Sequence, residues 1–139
     1  MDIENRKYGP DSSEEELKTL RERVEILEEG ILLFREVPVP SPFTIEYLIS
    51  WADQLAAEWD SYTIVIDLTE ASRPSAEERD SIRRVIGSLS RMNHLAIMTG
   101  GNILLNVAVR FIMSGIEGTK VTVHGTMEEA LREAGCGEE

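Results

Sequence analysis

The segment Tyr62–Arg84, YTIVIDLTEASRPSAEERDSIRR, constrains the fold more than any other part of the chain. Tyr62–Leu68 is an apolar run rich in β-branched residues. A strand open to solvent on one face alternates apolar and polar residues. A run without alternation belongs to a strand covered on both faces, as inner strands of parallel sheets are. A polar loop follows, and the spacing of Ile82, Val85, Ile86 and Leu89 predicts a helix over Ala76–Ser90 that buries them. Strand, loop and helix in this order make the unit that links parallel strands.

The same alternation continues on either side. Leu17, Leu20, Val24 and Leu27 fall at helical spacing behind Ser13 and Glu16, a capping-box pair, yet Val24–Leu27 and Ile31–Phe34 around Glu28-Glu29-Gly30 read as a hairpin. The favoured reading is a short helix to about Arg23 and then two strands. Pro38-Val39-Pro40-Ser41-Pro42 ends the second strand, because proline cannot donate to a ladder. Phe43–Trp59 then carries a one-sided stripe: Ile45, Leu48, Ile49, Ala52, Leu55, Ala56 and Trp59. Further on come a strand His94–Met98, a turn Thr99-Gly100-Gly101, a helix Asn102–Ser114, a strand Lys120–His124 and a helix Met127–Ala134 closed by Gly135. The expected fold is α/β: a mixed, mainly parallel sheet in the order β-β-α-β-α-β-α-β-α, with helices packed against it. Positions 1–18 read as a polar, flexible segment, 19–135 as one domain and 136–139 as a tail.

A chain of 139 residues with 42% hydrophobic content suits one domain with a real core. Its net charge of −12 argues against a nucleic-acid or anionic-lipid partner, which would need clustered Lys and Arg. The lone cysteine, Cys136, permits no intrachain disulfide. With no apolar signal core at the N-terminus and no run of ~20 apolar residues, the expectation is a cytoplasmic protein without a membrane span.

The opening hairpin, the helix after it, the strand ending in Asp67-Leu68 and the final Gly125-Thr126-Met127-Glu128-Glu129-Ala130-Leu131 resemble the STAS, or SpoIIAA-like, domain family, from about Val24 to Ala134. More narrowly, the chain is similar to bacterial STAS-like proteins of poorly defined function. In those a "vDl" strand precedes a helix with a pattern like Ala76-Glu77-Glu78-Arg79, and a "tgs"-like turn resembles Thr99-Gly100-Gly101. The match rests on the order of elements. It implies a regulatory or protein-interaction module in bacterial signalling rather than an enzyme, with no cofactor and with a partner such as a kinase or other signalling protein. In the family's anti-sigma factor antagonists a phosphorylatable serine opens the helix after the Asp-Leu strand, within a pattern like Asp-Ser-Ser-Gly. The corresponding positions here hold Ser75, Ala76 and Glu77. The nearest serine lies one residue early, which stands against that switch.

Each candidate site has a structural alternative. Asp67, Thr69, Ser72, Arg73 and Ser75 lie at the C-terminal end of an inner strand, where open α/β sheets bind ligands. Arg73 suits an anion, or a local ion pair with Glu70 or Glu77. Ser75 with Glu78 is a capping box by sequence. Thr99, Gly100, Gly101 and Asn102 would let a backbone approach an anion, or form only a tight turn and an N-cap. The helix after them is apolar around most of its circumference, with only Asn102, Asn106 and Arg110 polar. Leu105, Val109, Ile112 and Met113 therefore suggest a homodimer interface or an apolar pocket, with internal packing as the alternative, and Tyr47 and Trp51 on the flank of the earlier helix suit an interface or a place against the sheet. His94 and His124 have no acidic or cysteine partner at ligand spacing, so no metal site is expected, and no nucleophile constellation is visible. Two functions are carried forward. One is the interaction module. The other is a small-molecule or lipid binder with its pocket beside 102–114, since the fold class is similar to lipid-binding domains of the CRAL-TRIO kind.

Overall fold

The computed structural model describes residues 8–37, 41–69, 76–102, 106, 107, 109, 110 and 119–135. The described elements are α1 (Glu14–Arg21), β1 (Val24–Glu28), β2 (Ile31–Arg35), α2 (Pro42–Leu55), β3 (Tyr62–Asp67), α3 (Ala76–Gly87), β4 (Met92–Met98), β5 (Lys120–His124) and α4 (Met127–Ala134). Residues 106, 107, 109 and 110, between β4 and β5, are also helical. The protein is α/β, with a five-stranded mixed sheet in the order β1-β2-β3-β4-β5. β1 and β2 pair antiparallel, and every later pair is parallel.

Strand position follows from the sequence. β2 is buried from Ile31 to Phe34, and β3 and β4 are buried along most of their length. The edge strands β1 and β5 carry the exposed and half-exposed positions. Leu32, Phe34, Ile64, Ile66, Leu95 and Ile97 share one core with the α2 stripe, Ile86 of α3 and Val109. Ile31, Leu33, Val65, Ala96 and Met98 share a smaller core with Ala130 of α4. The crossover helices thus lie on one face and the terminal helix on the other. Strand order never reverses, so each crossover steps the same way, and helices joined by same-handed crossovers all fall on one side.

The helix starts follow their caps. Ser13 accepts from Glu16 N–H while Glu16 reaches back to Ser13, the box expected from sequence. Ser41 and Thr44 form a second reciprocal pair that opens α2, with Pro42 in the first turn, where its missing N–H costs nothing. Gly135 closes α4 at φ 91°.

Several expected boundaries shift. α2 ends at Leu55 instead of Trp59: turn-type bonds from Ala57 and Trp59 N–H tighten the chain, and Arg91 takes the Asp53 carbonyl that a continuing helix would have given to Ala57. Its guanidinium donates to the carbonyl oxygens of Ala56 (2.5 Å), Trp59 (2.8 Å) and Asp53 (3.1 Å) and to the Asp53 carboxylate (2.9 Å). α3 stops at Gly87, ahead of the expected Ser90, where turn-type bonds from Ser88 and Leu89 close it. Of its expected core residues Ile86 is buried, while Ile82, Val85 and Leu89 pack at the margin. β4 begins at Met92, two residues before His94.

Candidate functional site

The C-terminal ends of β2, β3, β4 and β5 align in register, bringing Arg35, Asp67, Met98 and His124 into one row. The ladder continues one step beyond each strand. Glu36 N–H donates to Asp67 O (3.0 Å), Leu68 N–H to Met98 O (2.9 Å) and Thr99 N–H to His124 O (3.0 Å). The loops that leave this edge therefore start from fixed backbone.

Asp67 turns its loop back on itself. Its Oδ1 accepts from Thr69 N–H (2.9 Å) and Thr69 Oγ1 (2.6 Å), an Asx turn. Thr99 is buried, and its hydroxyl donates to Asn106 Oδ1, tying the next loop to the helical residues after it. Gly100 and Gly101 follow at φ 75° and 82°, left-handed conformations that glycine adopts without strain. A Cβ on Gly100 would stand 2.9 Å from Thr69 Cγ2, so this turn abuts the previous loop. A Cβ on Gly125 would stand 4.0 Å from the backbone of Gly101. Asp67, Thr69, Thr99, Gly100 and Gly101, candidates in two separate loops, thus lie together at the strand ends, with Gly125 beside Gly101. The Asn102 carbonyl accepts from Asn106 N–H at 2.9 Å.

The strand order changes the meaning of this edge. Ligand crevices in open α/β sheets form where strand order reverses and neighbouring loops diverge. Here the order is monotonic, and among the described residues Gly100 abuts Thr69 and Gly125 approaches Gly101.

Glu36, one residue past β2, is a group that the sequence reading missed. It is 7% exposed, its Oε1 accepts from Val37 N–H (2.9 Å), and its carbonyl accepts from Arg23 Nη1 (3.1 Å). Burial pushes its carboxyl up to about 7, and the charge of Glu78 acts in the same sense. The Val37 N–H and the charge of Arg23 oppose the shift. The signal was present: Glu36 has the same strand parity as Leu32 and Phe34, so continuing the β2 alternation sends its side chain toward the main core.

The other candidates separate. Ser72, Arg73, Ser75, Leu105, Ile112 and Met113 lie outside the described residues. Val109 is buried in the main core, whereas Val107 is 61% exposed. Tyr47 stacks on Phe43, with ring centroids 5.6 Å apart, and its hydroxyl accepts from Arg21 Nη1 (2.7 Å). Trp51 lies under the same guanidinium at 5.4 Å. α1 thus occupies the aromatic flank of α2 within the chain. An open groove of about 460 Å³ lies nearby, lined by Val24, Ile26, Trp51 and Leu55 with Lys18 and Arg21 on its rim. None of its lining residues belongs to 102–114.

Among the described residues no three His, Cys, Asp or Glu side chains are placed to hold a metal ion, and no helix is long and apolar enough to cross a membrane. No protein-family model, curated protein or solved structure matches the chain.

Proposed function

We propose that the chain is a non-catalytic, STAS-like interaction module that receives a protein partner on the C-terminal edge of its sheet. The observation that carries this reading is the group of exposed residues at the strand ends. Thr69, Gly100, Gly101 and Gly125 are exposed and lie close together where backbone hydrogen bonds continue the ladder. An exposed backbone held in place in this way suits a macromolecular partner. The element order, with an antiparallel hairpin leading into parallel strands, agrees with the same reading.

Quantitative affinity enrichment from the native host tests it. Thr69→Arg and Arg73→Ala should each deplete the same partner, while Arg132→Ala on α4, across the sheet, should leave it bound. Equal loss from all three variants, or enrichment of nothing by the wild type, overturns the surface. Turnover of any substrate that disappears in Asp67→Asn overturns the non-catalytic reading. The proposed module is a homodimer joined through the helical segment after Asn102. Sedimentation equilibrium should give a dimer that Val107→Glu dissociates, and a wild-type monomer at micromolar concentration sinks that part alone.

A further inference from the structure

β1 forms one edge of the sheet, and no other described strand pairs with its outer side. The register of the hairpin shows which backbone groups that edge offers. Arg35 N–H donates to Arg23 O at 2.9 Å, and the pairs Val24–Phe34, Glu25–Leu33 and Ile26–Leu32 follow. Hydrogen-bonded and non-bonded pairs alternate in an antiparallel ladder. Arg23 and Glu25 therefore bond inward to β2, while Val24 and Ile26 turn their N–H and C=O groups outward. The register shifts after Ile26, so the regular part of the edge stops there.

The two faces of this edge differ in chemistry, because paired residues share a face. Val24 and Ile26 stand with Phe34 and Leu32 on the face of the larger core, beside the groove lined by Trp51 and Leu55. Ile26 is 48% exposed, one of two large apolar side chains open to solvent among the described residues. Lys18 and Arg21 stand on the groove rim. Glu25 and Glu28 pair with Leu33 and Ile31, so they lie on the opposite face, the one that α4 covers. Both are exposed. Glu25 is held by Arg35 at 2.7 Å, and Glu28 has no cation partner among the described residues.

We propose that the outer edge of β1 is a second docking surface, separate from the strand ends, and that it takes an extended strand of a basic protein with apolar side chains on the groove face and Lys or Arg on the other. Backbone pairing to Val24 and Ile26 supplies affinity, and alternate side chains supply specificity. Partner residues opposite Val24 and Ile26 fall beside Trp51 and Leu55. The residue between them falls beside Glu25, and the one after the residue opposite Ile26 falls toward Glu28. Charge assigns the faces. A basic side chain on the groove face meets Lys18 and Arg21, whereas on the other face it meets Glu25 and Glu28. The same carboxylates stand against a second copy as the occupant, because self-pairing sets two Glu25 and two Glu28 on one face. The net charge of −12 acts in the same sense.

Amide NMR of the labelled full chain, titrated with a synthetic peptide of alternating valine and lysine, tests the surface. The Val24 and Ile26 amides should shift and gain protection against exchange, while those of Thr69, Gly100 and Gly125 stay in place. A peptide of alternating valine and glutamate should bind roughly tenfold more weakly. A peptide with the valines and lysines in two blocks should leave the Val24 and Ile26 amides unprotected. Ile26→Lys, at an exposed position, should abolish binding, and Glu28→Lys should weaken it roughly two- to tenfold. No shift at β1 with millimolar peptide, equal binding of the glutamate peptide, or shifts confined to the strand-end loops each overturn the surface. A wild-type dimer that Ile26→Lys dissociates makes a second copy the occupant and overturns the basic partner.

Discussion

Glu36 makes stability depend on pH in the direction opposite to most carboxylates. Its carboxyl titrates near 4.5 in the unfolded chain and about 7 in the folded one. The folded state holds the proton more tightly, so the stability associated with it is complete below 4.5 and lost as pH rises through 7. At ~1.4 kcal/mol per pH unit the loss approaches roughly 3 kcal/mol by pH 8. Glu36→Gln keeps the shape and cannot ionise. It should exceed the wild type in stability by about 1–3 kcal/mol at pH 8, with the gap closing toward pH 5, when urea midpoints are compared at both values. A variant no more stable at pH 8 refutes the assignment. Gly100 is the second residue with a sharp expectation. Gly100→Ala meets a positive φ and a methyl at 2.9 Å and should cost roughly 1–3 kcal/mol. Adding Thr69→Ser removes the methyl and should recover part of the loss, whereas additive losses would deny the contact between the loops. Thr69 and Gly100 were legible in the sequence as loop positions just after strands. Their contact was not, because it depends on two loops being cut to fit one another.

Among elements, α2 shows where sequence periodicity stops being a guide. The apolar stripe runs on to Ala56 and Trp59, yet the helix ends at Leu55. Periodicity reports which side chains seek the core, and Trp59 still packs there. It does not report that an arginine 35 or so residues away will satisfy the terminal carbonyls. Arg91 is also 5.4 Å from the Tyr62 ring centroid, and the Tyr62 hydroxyl donates to Asp53 at 2.7 Å. The turn after α2 is thus closed by one guanidinium, one phenol and one carboxylate. Arg91→Met keeps the alkyl stem and leaves these acceptors without their donor. It should cost about 2–4 kcal/mol, with faster amide exchange at the end of α2 and little change at the start of α3. Uniform acceleration across both helices would mean that Arg91 is not a local clamp. The caps, in contrast, were readable where both partners lie within one turn, as in Ser13 with Glu16.

For the whole molecule, the sequence shows five strands and marks Tyr62–Leu68 as inner; it does not show the strand order or how unequal the two layers are. Burial of β3 on both faces follows from its apolar run, whereas β4 is mostly buried although it carries Asn93 and His94. The division of labour between faces does not follow from sequence, since the strong amphipathicity of α4 shows that it covers a face and not which one. Ala130 is fully buried at the centre of the smaller core. Ala130→Asp should cost about 2–4 kcal/mol by placing an unpaired charge there. It should also expose the second face to a hydrophobic dye while the α2 face stays protected. Simultaneous loss of both faces would show a single cooperative unit instead.

A strand order that repeats the chain order has a further consequence for biosynthesis. Each strand pairs with the one made just before it, so the sheet can extend from the β1-β2 hairpin as the polypeptide leaves the ribosome, every new edge being the template for the next arrival. The larger core closes early, because α2 and α3 emerge between the strands they cover. The smaller one waits for α4, made after every strand. Until then the nascent sheet displays Ile31, Leu33, Val65, Ala96 and Met98 on one side, an adhesive surface that makes the interval before residues 127–134 emerge the one in which a chaperone would matter most.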